Sequence, residues 1–452
     1  MDVLMAQEIA LLVLEAIAIY FLSINIIYGA LMIFSWMKVR RFNQRDLLSK
    51  EIATPGVSFI VPVYNEESLI VETIQTYLSL PQTNREIIVI NDGSHDQTMR
   101  LLQIMFQLHR DQKNPKLFRS ISFPELKVIE APHLGKAQAL NFGVSMASNE
   151  LICTMDADTI PDARGVETCL RAFGRDQSLI AVGGVIQVLH SQSVKNNIPQ
   201  HEKPHGWLAS FQRIEYLRAF VCERLGWSLL RSTVLISGAF CMIKKEAVQK
   251  VGGFSRKSIT EDLDLILRLR SFYKDERNSF QILPVTTCYT QVPSTITHLS
   301  EQRIRWQRGL VQTLVQFPKL LFSPTHGLLG FLAMPYMWVV EVLSPILEGI
   351  AAIVVPYSLY MGWISTKAAL FFFAIGIFFN VALTLMGTHL DNKYVTRGKN
   401  WKTFPSIFHT IAIHFGYKQL NSWWRFMGLM KSVKRGTWGG NPREEITIEM
   451  AA

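Results

Sequence analysis

The sequence predicts an α/β domain carried on apolar helices, and three observations predict it. Apolar residues make up 49% of the 452-residue chain and mean hydropathy is positive, with the excess at the two ends. Between those ends, short apolar β-branched runs alternate with amphipathic stretches. Each run ends in glycine, proline or polar residues, as the strands of a parallel sheet do. The length suits two or three domains.

Residues 9–34 are almost wholly apolar, interrupted by Glu15. About 20 such residues cross a bilayer. A signal peptide would open with positive charge and close on a small-residue cleavage site. Here Asp2 and Glu8 come first, and the basic run Lys38, Arg40, Arg41, Arg45 follows. Residues 1–37 therefore read as a transmembrane helix with its N-terminus outside and residue 38 onward in the cytosol. Residues 50–320 form the α/β domain, with strands expected at 57–63, 86–91, 126–130 and 151–156.

Beyond it, residues 327–390 hold two apolar stretches, 327–363 and 366–388, joined by a short link expected outside. The first carries Pro335, Pro345, Pro356, Glu341 and Glu348, so a kinked or broken span is expected. Residues 391–452 begin basic and return to an apolar segment, 405–430, that also holds His409, His414, Lys418, Asn421 and Arg425. With basic flanks on both sides, an interfacial or re-entrant helix fits it better than a span, and the tail is expected in the cytosol. The whole reads as a multi-pass protein of the cell membrane with its α/β domain cytosolic.

Net charge is +10, with the basic residues gathered beside apolar segments. That placement indicates membrane lipids as the partner and argues against nucleic acid. The five cysteines show no CxxC spacing, which excludes the usual zinc motifs and gives no support to a disulfide framework. The glycine patterns of P-loops and dinucleotide folds are absent.

Ligands of open α/β sheets bind beyond the carboxyl ends of the strands. Asn65, Glu66, Asp92, Asp156 and Asp158 all fall there. In Asp156-Ala157-Asp158, two carboxylates one residue apart can hold a hard divalent cation and, through it, a diphosphate; a solvated turn is the rival reading. An EF-hand is excluded, since Ile160 and Pro161 occupy a ligand position and that of the required glycine. Asn91-Asp92-Gly93-Ser94 is either a nucleoside contact or a tight turn. Pro62-Val63-Tyr64-Asn65-Glu66-Glu67 ends a strand and opens a helix, Glu67 being a candidate helix-start acid.

Gly135-Lys136 precedes a helix over 137–147 and suggests phosphate binding. Thr260-Glu261-Asp262 opens a helix over 263–269, with Thr260 as cap; its acids either suit the helix dipole or make Asp262 a general base. In Gln302-Arg303-Ile304-Arg305-Trp306, helical spacing puts Gln302, Arg305 and Trp306 on one face. Arg305 can fork onto phosphate and Trp306 can stack on a sugar; the rival is an interfacial anchor.

Taken in order, these segments resemble the membrane-bound members of glycosyltransferase family 2, the cellulose, hyaluronan and poly-N-acetylglucosamine synthases, over roughly residues 50–440. VPVYNEE, NDGSHDQT, HLGKAQALNFG, DADT, SGAF, TED and QRIRW each resemble a family segment. The resemblance implies a GT-A-type, Rossmann-like nucleotide-sugar domain plus α-helical membrane spans. It implies substrate contacts from Glu66, Asp92, Lys136, Asp156, Gly238, Gln302, Arg305 and Trp306, and Mg²⁺ or Mn²⁺ on Asp158. It implies a catalytic Asp262 with Glu261 beside it, inverting transfer from a UDP-sugar, and a polysaccharide or lipid-linked acceptor, with accessory export subunits as further partners. The chain departs from cellulose synthases in lacking a cyclic-dinucleotide appendage and in having few spans. A polar insert, 190–206, has no counterpart that we can read. A transporter with a cytosolic regulatory domain is the rival of another class, and its only support is Glu341 and Glu348.

Overall fold

A computed structural model of the protein describes residues 2–47, 52–82, 84–189, 194–195, 198–199, 206–274, 279–396 and 407–433. Most of the insert 190–206 and much of the basic stretch 391–402 lie outside the described residues. The strands are β1 (Val57–Val63), β2 (Arg85–Asp92), β3 (Leu108–Arg110), β4 (Leu117–Ser120), β5 (Leu126–Ala131) and β6 (Leu151–Thr154). They continue as β7 (Thr159–Pro161), β8 (Ala181–Val188), β9 (Val194–Lys195), β10 (Ile198–Pro199), β11 (Cys241–Lys244) and β12 (Phe280–Thr290). Ten of them form one sheet in the order β3-β4-β5-β2-β1-β6-β11-β8-β12-β7, and β9 pairs with β10 separately.

The sheet is mixed, where a parallel one was expected. β5, β2, β1 and β6 run parallel, and β8 runs parallel with β12. β11 is antiparallel to both β6 and β8. The apolar runs are strands because both faces are covered: every residue of β8 is buried, and β1 is buried except at Pro62.

Two helices are long and apolar enough to cross a membrane, Leu4–Phe42 and Thr366–Val395. A third crossing is formed if the pair Leu329–Val342 and Ser344–Tyr360, bent by 42°, counts as one span. Pro345 follows directly on that bend, where a proline at the first helical turn is tolerated. The N-terminal helix runs from Asp2 to Leu47 without a break. At 1.5 Å per residue its 46 residues reach about 69 Å, more than twice the ~30 Å hydrocarbon core. Its second half accordingly packs on the α/β domain. Leu31, Met32 and Val39 are buried there, and the Ser35 hydroxyl donates to the Cys222 carbonyl at 3.2 Å.

Candidate active site

The sheet direction places the motifs. β1, β2, β5 and β6 all end on one edge, so Glu66, Asp92, the 133–136 loop, Asp156 and Asp158 gather there. β11 runs the other way and begins at that edge, with Cys241 opposite Thr154. The loop before it, with Gly238, is therefore delivered to the same place.

The first two loops are laced together. Asn65 N–H donates to Ser94 Oγ (3.0 Å), Glu66 N–H to Thr98 Oγ1 (2.9 Å) and Glu67 N–H to Asp96 Oδ2 (3.2 Å). In return His95 N–H donates to Asn65 Oδ1 and Gln97 N–H to Glu67 Oε2, both at 2.9 Å. Glu67 is thus not a helix-start acid; the helix begins at Ile70 and Glu67 holds the neighbouring loop. Asn65 sits at φ 55°, a left-handed conformation that asparagine tolerates better than most side chains.

Asp92 is buried, and its carboxylate accepts from the N–H groups of Leu134 (2.7 Å) and Gly135 (2.9 Å). It thereby fixes the loop that starts the helix Lys136–Met146. His133 closes over it, with Nδ1 at 3.1 Å from Asp92 Oδ2 and its ring 4.3 Å from that of Tyr64. Tyr64 and His133, both exposed, make an aromatic surface with rings inclined by 32°, which sequence reasoning missed. Only their spacing after the ends of β1 and β5 hinted at it.

Lys136 is the hinge of the site. Its Nζ lies 2.6 Å from Asp156 and 3.0 Å from Glu261, joining the DAD and TED segments. Burial alone would lower the Lys136 ammonium, but Asp156 and Glu261 outweigh it and raise it, so it stays charged. Beside Glu261, the Asp262 carboxylate accepts from Gly238 N–H at 2.9 Å and from its own neighbour Leu263 N–H at 2.8 Å. Burial first and Glu261 second push the Asp262 carboxyl above its ordinary value. Thr260 does not cap this helix with its side chain; its hydroxyl meets Thr313 at 3.1 Å and so ties the segment to the QRIRW helix.

Asp158 accepts from Thr159 Oγ1 (3.1 Å) and, at the limit of 3.5 Å, from Thr290 Oγ1. Burial and then the nearby Asp156 push it up to about 6. Burial, followed by Asp158 and Asp156, pushes Glu66 up to about 7. These carboxylates crowd one another, and Lys136 pairs with Asp156 alone of the three. Among the described residues no three acidic, histidine or cysteine side chains converge as a complete metal cage. A crowded oxygen set with few protein ligands suits a divalent ion that takes its other ligands from phosphates and water. Asp162 and Glu167, which fall at plausible EF-hand ligand positions after Asp156 and Asp158, are engaged otherwise: Asp162 caps the helix Ala163–Arg175, and Glu167 pairs with Arg171.

QRIRW lies on the helix Ile296–Gln316, whose N-terminus is capped by the Thr295 hydroxyl. Gln302 is half-buried, while Arg305 and Trp306 are exposed; Arg303 and Gln307 are buried on another side of the helix. The Arg303 guanidinium covers one face of the Trp306 ring at 4.7 Å. The structure thus gathers Lys136, Asp156, Gly238, Glu261 and Asp262 through direct bonds and sets Glu66 and Asp158 beside them. Gln302, Arg305 and Trp306 are held on a helix fastened to that centre through Thr313.

A mixed sheet with its acidic loops on one edge is the GT-A-type glycosyltransferase fold. Residues 58–252 match the family described as Glycosyl transferase family 2, so the chain carries a domain of that family. The chain is 32% identical over 297 residues to the poly-beta-1,6-N-acetyl-D-glucosamine synthase of Staphylococcus epidermidis, a match covering 66% of this chain and 64% of that protein. It is 30% identical over 298 residues to the same enzyme of Staphylococcus aureus, with the same shares covered. The match thus spans less than two thirds of these relatives' length. In fold it is similar to the mannosyltransferase PcManGT from Pyrobaculum calidifontis, solved in complex with GDP-Man and Mn²⁺. That likeness has a TM-score of 0.56 at 19% identity, covering 94% of this chain and 100% of that one.

Proposed function

We propose that the protein transfers a sugar from a UDP-sugar, of the UDP-GlcNAc or UDP-glucose class, with inversion, to a growing polysaccharide at the cytosolic face of the cell membrane. The observation that carries the reading is the Lys136 bridge from Asp156 to Glu261, which sets a donor-side acid and the candidate base in one cluster. The names of the staphylococcal relatives favour UDP-GlcNAc and a polymer.

Asp262 takes the proton of the acceptor hydroxyl as that oxygen attacks the anomeric carbon. Its raised pKa makes the ionised carboxylate a stronger base, and two backbone N–H groups hold it in aim. Gly238 keeps the approach open, since no side chain stands between its backbone and the base. Tyr64, His133 and Asp92 form the wall against which a nucleoside base can lie. Arg305 steadies the diphosphate with Gln302 beside it, and Trp306 offers a face to the acceptor sugar. Asp158, with Asp156 and Glu66 near it, is the place for Mg²⁺ or Mn²⁺, and PcManGT was solved with Mn²⁺. Such an ion supplies charge neutralisation for the leaving diphosphate.

The second reading is a single transfer to a lipid carrier. It is favoured by the N-terminal helix packing directly on the domain, which keeps the site beside the bilayer. Purified protein offered a panel of UDP-sugars, with Mn²⁺ or with EDTA, tests both, with UDP release and product length as readouts. A polymer formed only with metal is expected. A mono-glycosylated lipid selects the second reading; full activity in EDTA removes the metal, and no turnover of any UDP-sugar removes the function.

A further inference from the structure

We infer that Glu215, on the helix Trp207–Leu217, is a positioning residue that sets Trp306 as the acceptor platform; this rests on the reading of Trp306 as the acceptor's contact. Trp306 is 37% exposed, and one face of its ring is covered by the Arg303 guanidinium at 4.7 Å. The opposite face is the one left for a sugar. Arg303 itself is buried and cannot turn to water. Its Nη2 is fixed at 2.7 Å by Glu215 Oε2, its acidic partner among the described residues.

Glu215 is in turn held from a third element. Its Oε2 accepts from Tyr417 Oη at 2.8 Å and its Oε1 from Asn421 Nδ2 at 3.1 Å. Tyr417 and Asn421 are four residues apart on the helix Tyr417–Val433 and therefore share a face. That helix cannot back away from the platform helix. Arg425 donates to Gln307 Oε1 at 3.0 Å and to Glu341 Oε2 at 3.0 Å. At Gly428 the approach is so close that a Cβ would stand 2.7 Å from the Ile304 carbonyl oxygen. One carboxylate thus joins the helix of the QRIRW segment to the two helices flanking it.

The physical consequence follows from the charge. A buried guanidinium without its carboxylate is costly and moves to find water or another acceptor. In doing so it leaves the Trp306 face, and the ring loses the support that holds its other face square to an incoming sugar. Of the donor contacts, Asp92, Lys136 and Asp156 bond to other loops and not to Glu215, and Arg305, on the platform helix itself, is exposed where Arg303 is buried.

The test uses the full-length protein with UDP-GlcNAc as donor and a short β-1,6-linked GlcNAc oligomer as the acceptor probe. Glu215→Gln is expected to raise the oligomer KM roughly tenfold, the scale of losing a stacked and cation-supported contact. The donor KM and the UDP released by hydrolysis without oligomer stay within about twofold of wild type. Trp306→Ala raises the oligomer KM as well, and adding Glu215→Gln to it costs nothing further, because the two act through one ring. Glu215→Asp keeps the charge and recovers part of the effect. Tyr417→Phe and Asn421→Ala each remove one of the bonds to Glu215 and shift the oligomer KM in the same direction by less. They serve as the readout where Glu215→Gln does not fold. An unchanged oligomer KM in these variants, donor and oligomer KM rising together, or full additivity with Trp306→Ala overturns the inference. A wild type that neither hydrolyses UDP-GlcNAc nor extends the oligomer overturns the proposed function, and the inference falls with it.

Discussion

Asp262→Asn keeps the size of the side chain and removes its charge, yet the structure shows that it is not silent. Each carboxylate oxygen accepts one backbone N–H, Oδ2 from Gly238 and Oδ1 from Leu263. Asparagine has one acceptor oxygen, so its NH₂ group must face one of those donors. One bond is lost and one buried N–H is left unpaired, which costs about 1–3 kcal/mol. Against a domain stability of about 5–15 kcal/mol, the folded fraction stays near unity and only the thermal midpoint falls, by a few degrees. Losing the base is a separate and larger effect on rate. General-base catalysis contributes ~10²–10⁴-fold, and a hundredfold loss corresponds to about 2.7 kcal/mol of barrier. The assay is UDP release and sugar transfer under saturating UDP-sugar, with calorimetric UDP binding and a thermal melt on the same preparation. Transfer reduced a hundredfold or more, with UDP still bound and the melt only slightly shifted, is expected. Transfer within about fivefold of wild type removes Asp262 from the chemistry.

At Gly238 an added Cβ would lie 3.5 Å from Asp262 Cβ and 3.6 Å from Lys136 Nζ, ordinary contact distances. Gly238→Ala is therefore expected to melt like wild type while slowing transfer, because the methyl stands before the base; unchanged transfer shows that the acceptor approaches elsewhere. Glu66, raised to about 7, and Asp158, raised to about 6, bind protons more tightly folded than unfolded. Their contribution to the metal-free protein is complete below the unfolded values near 4 and is lost as pH rises to about 7. The wild-type melt in EDTA should thus lose ground relative to Glu66→Gln between pH 4.5 and 7, and parallel curves refute the crowding. Reporters placed after Arg45 and at the C-terminus should read cytosolic and one near Ser365 external. An external C-terminus shows that residues 405–430 span.

The donor side of the site was legible because it obeys a local rule. An apolar run followed by polar residues marks a strand end, and parallel strands bring their ends together, so Glu66, Asp92, Asp156 and Asp158 were placed by pattern alone. Gly-Lys at a helix start suggests a phosphate contact for Lys136. Its bonds to Asp156 and Glu261 depend on segments far apart in the chain, and no periodicity encodes them. The sequence offers Asp92 as a nucleoside contact or part of a tight turn, and the structure adds that its carboxylate braces the 134–135 backbone, a role neither reading announces. Arg303 is not legible in the sequence because it lies between the residues of a motif that share one helical face, while its partner Glu215 belongs to another helix with no motif at all.

The parallel expectation fails at β4, β7 and β11, and β11 is the one that builds the proposed acceptor side. β11 is short, four residues, and nothing in CMIK tells its direction. Being antiparallel, it starts where β6 ends, so the loop through Gly238 arrives at the edge that carries Asp156 and Asp158. A parallel strand in that place would put the loop at the opposite edge, leaving Asp262 without the Gly238 N–H that holds one of its oxygens. The helix that follows, Lys245–Lys250, and the turn after it then lead the chain back to Glu261, where the base segment meets Lys136. The reversal of β11 is therefore what sets the candidate base facing the proposed donor loops, and Lys136 is the side chain that joins the two halves at that spacing.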